Sequence, residues 1–78
     1  EPIRVYPSVF RDEIYIRTNV NTTIKNISIY DVKGSLSHII KDDFIEHSIN
    51  LSFLKSGAYF ISIETNSGMI KKELIIKL

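Results

Sequence analysis

Ile49-Asn50-Leu51-Ser52-Phe53-Leu54-Lys55-Ser56-Gly57-Ala58-Tyr59-Phe60-Ile61-Ser62-Ile63-Glu64-Thr65-Asn66-Ser67-Gly68-Met69-Ile70-Lys71-Lys72-Glu73-Leu74-Ile75-Ile76-Lys77-Leu78 is the stretch that decides the fold. From Ala58 to Thr65 the side chains alternate, which is the period of a strand with one buried face. Tyr59, Ile61 and Ile63 take the inward positions. Asn66-Ser67-Gly68 reads as a three-residue hairpin loop with glycine in the left-handed conformation. Met69 to Leu78 then returns as a second strand, with Ile70, Leu74, Ile76 and Leu78 sharing one face. Ahead of the hairpin, Ser52 to Gly57 reads as a crossing loop that places Leu54 as an apolar plug.

The same period-two pattern runs back to the start of the chain. Ile3 to Tyr6 is a short strand closed by Pro7. Glu13 to Thr18 alternates with Ile14 and Ile16 on one face, and Asn19 to Thr23 is a polar loop. Lys25 to Tyr30 is the third strand, with Ile27 and Ile29 inward. Asp31-Val32-Lys33-Gly34 is a type I turn, because an aspartate at its first position can accept a nearby backbone N–H. Leu36 to Lys41 is the fourth strand, and Asp42-Asp43 turns the chain. Ile45 to Leu51 is the fifth, with Ile45, His47, Ile49 and Leu51 on one face. Short strands punctuated by turns every 8–12 residues or so predict an all-β fold, a seven-stranded antiparallel immunoglobulin-like β-sandwich. Only the architecture is meant, since the antibody-type cysteine pair and tryptophan are absent. Ile27, Ile29, Tyr59, Ile61, Leu74 and Ile76 are the expected core.

Bulk composition narrows the function. The chain has 78 residues, enough for one small domain, taken here as residues 1–78. It is 44% hydrophobic and has no cysteine, so packing alone must hold it. Isoleucine occurs fifteen times, and β-branched side chains suit a pleated surface. A net charge of +1, with the charges scattered, argues against a nucleic-acid partner. No apolar run approaches the ~20 residues of a membrane-spanning helix, so no direct membrane insertion is expected. No signal peptide is present, and the chain begins at Glu1 without methionine. It reads as a piece excised from a longer exported precursor whose leader lies upstream.

Catalytic, metal and cofactor chemistry all lack their residue sets. The only histidines are His38 and His47, and Ser8, Ser28, Ser37 and Ser48 are nucleophiles in name alone. No Gly-x-Ser-x-Gly elbow occurs. Asp42, Asp43 and Glu46 lie close together but lack calcium-loop spacing, and Asp31 with Gly34 supplies too few ligands. The three glycines lie too far apart to cradle a phosphate. No catalytic residue, metal or cofactor is therefore expected. Tyr15 and Phe60 alternate outward, which keeps open a sugar- or peptide-binding role alongside ordinary second-face packing.

The whole chain resembles the type A C-terminal sorting domain of the type IX (Por) secretion system of Bacteroidetes-type bacteria. Tyr6-Pro7-Ser8-Val9-Phe10 resembles the family's opening Tyr-Pro-Asn-Pro-Phe step, with Ser8 and Val9 departing in the middle. Ile29-Tyr30-Asp31-Val32-Lys33-Gly34 matches its Ile-Tyr-Asp-x-x-Gly step. In the next segment Asn50 stands for the usual aspartate, while Leu51, Ser52, Leu54, Gly57 and Tyr59 match. Gly68 and Lys71 to Leu78 match the closing glycine turn and lysine-rich strand. The order and spacing of these pieces carry the resemblance.

The resemblance implies a non-catalytic secretion signal. It implies translocon components and a sortase-like surface peptidase as partners, with a passenger domain on the N-terminal side. It also implies passage through the periplasm to the cell surface or the medium, with removal of the domain in many members. The translocon-recognition residues expected on this basis are Gly57, Tyr59, Gly68, Lys71, Lys72, Leu74, Ile76 and Lys77. Lys71 and Lys72 point to opposite faces of the last strand, so at least one should stay open to a partner. The other reading is a glycan- or peptide-binding accessory module of a surface enzyme.

Overall fold

The computed structural model describes residues 3–19, 21–40 and 48–78. Within them the chain forms β1 (Arg4–Tyr6), β2 (Val9–Phe10), β3 (Glu13–Arg17), β4 (Ile24–Asp31), β5 (Leu36–Ile40), β6 (Ser48–Asn50), β7 (Gly57–Thr65) and β8 (Ile70–Lys77), and no helix. They build two sheets, a three-stranded one in the order β1-β3-β6 and a five-stranded one in the order β2-β8-β7-β4-β5.

The inner faces meet over one core. Ile14, Ile16 and Ile49 come from the smaller sheet, and Ile24, Ile27, Ile29, Ile61, Ile63 and Ile75 from the larger. Ile3, Phe10, Leu51 and Leu54 complete it from the connecting segments and β2. β-branched side chains dominate because each strand presents alternate residues to a flat, half-buried surface. Leu54 is buried as the plug expected of it, and the turn that carries it closes through Leu54 N–H to the Leu51 carbonyl at 3.1 Å.

The turn chemistry follows the sequence. The Asp31 side chain accepts from both Lys33 N–H and Ser35 N–H at 2.9 Å, which pins the β4–β5 turn. In the β7–β8 hairpin Gly68 N–H donates to Thr65 at 3.0 Å, and Gly68 takes φ +92°, where an added Cβ would be strained.

Four features depart from the sequence reading. There are eight strands among the described residues, because Val9 and Phe10 pair with β8. That pairing is parallel, so the larger sheet is mixed rather than wholly antiparallel. Two residues are too few to show a period, which is why this strand was illegible. Third, the parity of β8 is inverted. Ile75 is fully buried, whereas Leu74 is 47% and Ile76 38% exposed, with Ile70 and Leu78 also exposed. The hairpin fixes this register by setting Tyr59 opposite Ile75, Ile61 opposite Glu73 and Ile63 opposite Lys71. Counting apolar residues favours the other face, and a one-residue error moves every side chain across the sheet. Fourth, Tyr59 is half-buried at the core margin instead of within it. Ile27, Ile29 and Ile61 are fully buried as expected. Ile45, His47, Lys41 and the Asp42-Asp43 turn lie outside the described residues.

Candidate functional site

The closing hairpin is built on the longest run of pairing among the described residues, with Gly57 to Glu64 matched in turn to Lys77 back to Ile70. It is locked at both ends. At one end the buried Thr65 N–H donates to the Met69 carbonyl at 2.9 Å, and the Thr65 hydroxyl accepts from Met69 N–H at 3.2 Å. At the other, the Tyr59 hydroxyl donates to the Lys55 carbonyl at 2.7 Å, fastening the loop before β7 to the strand. Gly57 enters β7 at φ +146°, a backbone conformation that a side chain would strain. The Asn50 side chain accepts from Ser52 N–H at 3.0 Å and from the Ser52 hydroxyl at 2.6 Å, closing the start of the same loop. An aspartate there could accept the same two bonds.

The eight residues expected to be recognised fall into three groups. Gly57, Gly68 and Tyr59 shape the hairpin and its approach. Lys71 lies on the inner-facing parity at the sandwich margin, bridged to Glu73 at 3.2 Å, and Lys77 Nζ donates to the Leu78 carbonyl at 3.0 Å. Lys72, Leu74 and Ile76 stand together on the outer face of the larger sheet. Lys71 and Lys72 therefore do point to opposite faces. Among the described residues, the groove between β1 and β8 is lined by Ile3, Arg4, Val5, Tyr6, Lys71 and Glu73.

The edge of β8 is the other distinctive element. Ile76 N–H donates to the Ser8 carbonyl at 2.7 Å and Leu78 N–H to the Phe10 carbonyl at 2.9 Å. Residues of that parity direct their backbone groups away from β7. Ile70, Lys72 and Leu74 share the parity, and among the described residues no strand pairs with them on that side. Sequence reasoning missed this half-covered edge because it missed β2. The sequence offers only Val9 and Phe10 before a polar turn, too few residues to show a period.

No three His, Cys, Asp or Glu side chains come together among the described residues. His38 stacks on Phe53, with ring centroids 4.6 Å apart, and its Nδ1 faces the Ser37 carbonyl rather than a hydroxyl. On the smaller sheet, the exposed Tyr6 and Tyr15 rings lie 5.6 Å apart. The Tyr15 hydroxyl donates to Glu13 at 3.2 Å, and that carboxylate raises the Tyr15 pKa.

The family model for the secretion system C-terminal sorting domain matches residues 4–77, nearly the whole chain. The chain belongs to this family. No curated protein matches it. The domain is thus a sorting signal of type IX secretion, and its destination is the cell surface or the medium. The residues that resemble the family's motifs are the ones that shape the turns. Asp31 and Gly34 set the β4–β5 turn, Asn50 to Leu54 the crossing loop, and Gly68 the hairpin.

Proposed function

We propose that the type IX translocon reads this domain at the closing hairpin, and that Gly57, Tyr59, Gly68, Lys71, Lys72, Leu74, Ile76 and Lys77 make up the recognised element. The observation that carries the reading is the backbone of Ile70, Lys72 and Leu74, which among the described residues no strand pairs on the side of the short β2–β8 pairing. An open strand edge accepts a partner strand through main-chain hydrogen bonds, and the adjacent side chains supply specificity. Lys72 and Leu74 present both kinds of group at once. The domain carries no chemistry of its own in this reading. It acts after periplasmic transit, with a passenger on its N-terminal side, and a sortase-like peptidase cuts in the segment before it. The three-on-five arrangement supports assigning the fold to the immunoglobulin-like sandwiches.

The test fuses the domain to a fluorescent passenger bearing an export signal, in a bacterium with a type IX system. The intact fusion should reach the surface or the medium, and removal of Met69 to Leu78 should leave it in the periplasm. Because that deletion also removes buried Ile75, two point variants separate recognition from folding. Leu74→Pro deletes an outward N–H on an edge, where proline is tolerated, and should block export. Leu74→Thr keeps the N–H and should be exported. Export of the proline variant at the intact level would remove strand addition from consideration. Periplasmic retention of the intact fusion, where a known sorting domain exports the same passenger, would defeat the reading altogether.

A second reading, an accessory module that binds glycans, is favoured by the exposed Tyr6–Tyr15 pair, since paired rings can stack on a sugar face. Tyr15→Ala should then abolish carbohydrate retention while leaving export intact.

A further inference from the structure

The outer face of the five-stranded sheet should be polar if it only meets water, because antiparallel sheets usually solvate one side. Only part of it is. Across the strands one row reads Lys72, Ser62, Ser28, Ile39, but the row beside it reads Leu74, Phe60, Tyr30, Leu36, and the one beyond carries Ile76 with Val9. Within this field lies a pocket of ≈ 480 Å³ lined by Tyr30, Gly34, Phe60, Ser62 and Lys72. Its polar heads are two hydroxyls and one ammonium. Lys72 has no ion pair among the described residues, unlike its neighbour Lys71, which holds Glu73. Glu64, on the same face, makes no ion pair with Lys72, and its Oε1 accepts from Asn26 Nδ2 at 3.1 Å. The pocket therefore offers an ammonium held in no ion pair among the described residues, and hydroxyl donors, beside an aromatic ring.

Size decides what kind of partner fits. The row crosses four strands about 4.8 Å apart, and Ile70 to Ile76 rises about 3.4 Å per residue, giving a face of roughly 300 Å². A stable interface takes about 800 Å² from each partner, so a second copy of the domain would gain too little. One segment of another protein suffices to cover the field.

We propose that this face docks a protein segment presenting an apolar side chain next to a carboxylate, the apolar group over Phe60 and Leu74 and the carboxylate on Lys72, Ser62 and Tyr30. The inference deepens the sorting reading, on which it rests for a biological partner, by naming the chemistry of what the domain engages. It also explains why β8 turns its apolar side outward. Charge-assisted hydrogen bonds from Lys72 gain strength where Phe60 and Leu74 exclude water.

The experiment titrates the 78-residue chain, labelled with ¹⁵N, against two capped tripeptides. One is phenylalanine–aspartate–leucine, and the other has asparagine for aspartate. The aspartate peptide should shift the amide signals of Tyr30, Gly34, Phe60, Ser62 and Lys72 saturably, and the asparagine peptide should bind severalfold more weakly. Lys72→Gln, a change on an exposed side chain, should abolish that preference without changing the rest of the spectrum. Glucuronate, a carboxylate without an apolar group, should leave the signals in place. Equal response to the two peptides, shifts confined to the opposite sheet, no shifts, or a response to glucuronate equal to that of the aspartate peptide would each overturn the proposal. The titration needs no secretion machinery, so its failure leaves the export result standing, and the reverse holds too.

Discussion

β3 and β8 are both amphipathic strands in one sandwich, yet they obey opposite rules. β3 places Ile14 and Ile16 in the core and sends Glu13, Tyr15 and Arg17 to solvent. β8 turns Leu74 and Ile76 outward and keeps Lys71 and Glu73 half-buried beside Ile75. The difference lies in position. β3 is flanked on both sides, by β1 and β6, and its inner face looks into the middle of the core. β8 runs along a margin where, among the described residues, only two residues of β2 pair with it, and long charged stems can lie over the groove and keep their heads wet. A strand at the margin is free to face its apolar side toward something else.

That contrast can be broken most sharply in the core. Ile75→Ala should cost about 2–5 kcal/mol, as should Ile14→Ala and Ile61→Ala, because all three side chains are fully buried. Leu74→Ala should cost well under half as much by denaturant unfolding. The reverse ranking would mean that β8 has the parity its composition suggests. Tyr59→Phe removes the bond to the Lys55 carbonyl from a half-buried ring and should cost about 0.5–1.5 kcal/mol. Its loss should be equal in low and high salt. Glu73→Gln unties Lys71 at the margin and should change stability by less than about 1 kcal/mol, with even that erased by salt. The smallest effect is spectroscopic. Glu13→Gln should lower the alkaline titration midpoint of Tyr15, since the Glu13 carboxylate both accepts from the phenol and disfavours its ionised form. An unchanged midpoint would show that the pair does not persist in solution.

Much of this fold is legible because its determinants are local. Alternation placed Ile14, Ile16, Ile27, Ile29, Ile61 and Ile63 correctly, and turn chemistry placed Asp31, Gly34 and Gly68. What failed depended on distant partners. The two residues of β2 acquire meaning only from Ile76 and Lys77. The face of β8 is set by the length of the Asn66-Ser67-Gly68 loop acting through β7, and four apolar residues of one parity outvoted Ile75. The recognition residues were drawn from a family pattern. Their division into turn-shaping residues, charged margin and outer face became visible only in three dimensions.

The short parallel pairing of β2 with β8 has a consequence for transport. It joins Ser8 and Phe10 to Ile76 and Leu78 across almost the whole sequence. Such long-range closure comes late in folding, because loop entropy must be spent before the contact rewards it. A polypeptide threading a membrane from its N-terminal side can assemble this sandwich only after residue 78 has emerged. The finished shape therefore reports that both ends of this segment, Ser8 to Phe10 and Ile76 to Leu78, stand on the same side: a machine that engages only the closed form ignores chains in which they do not.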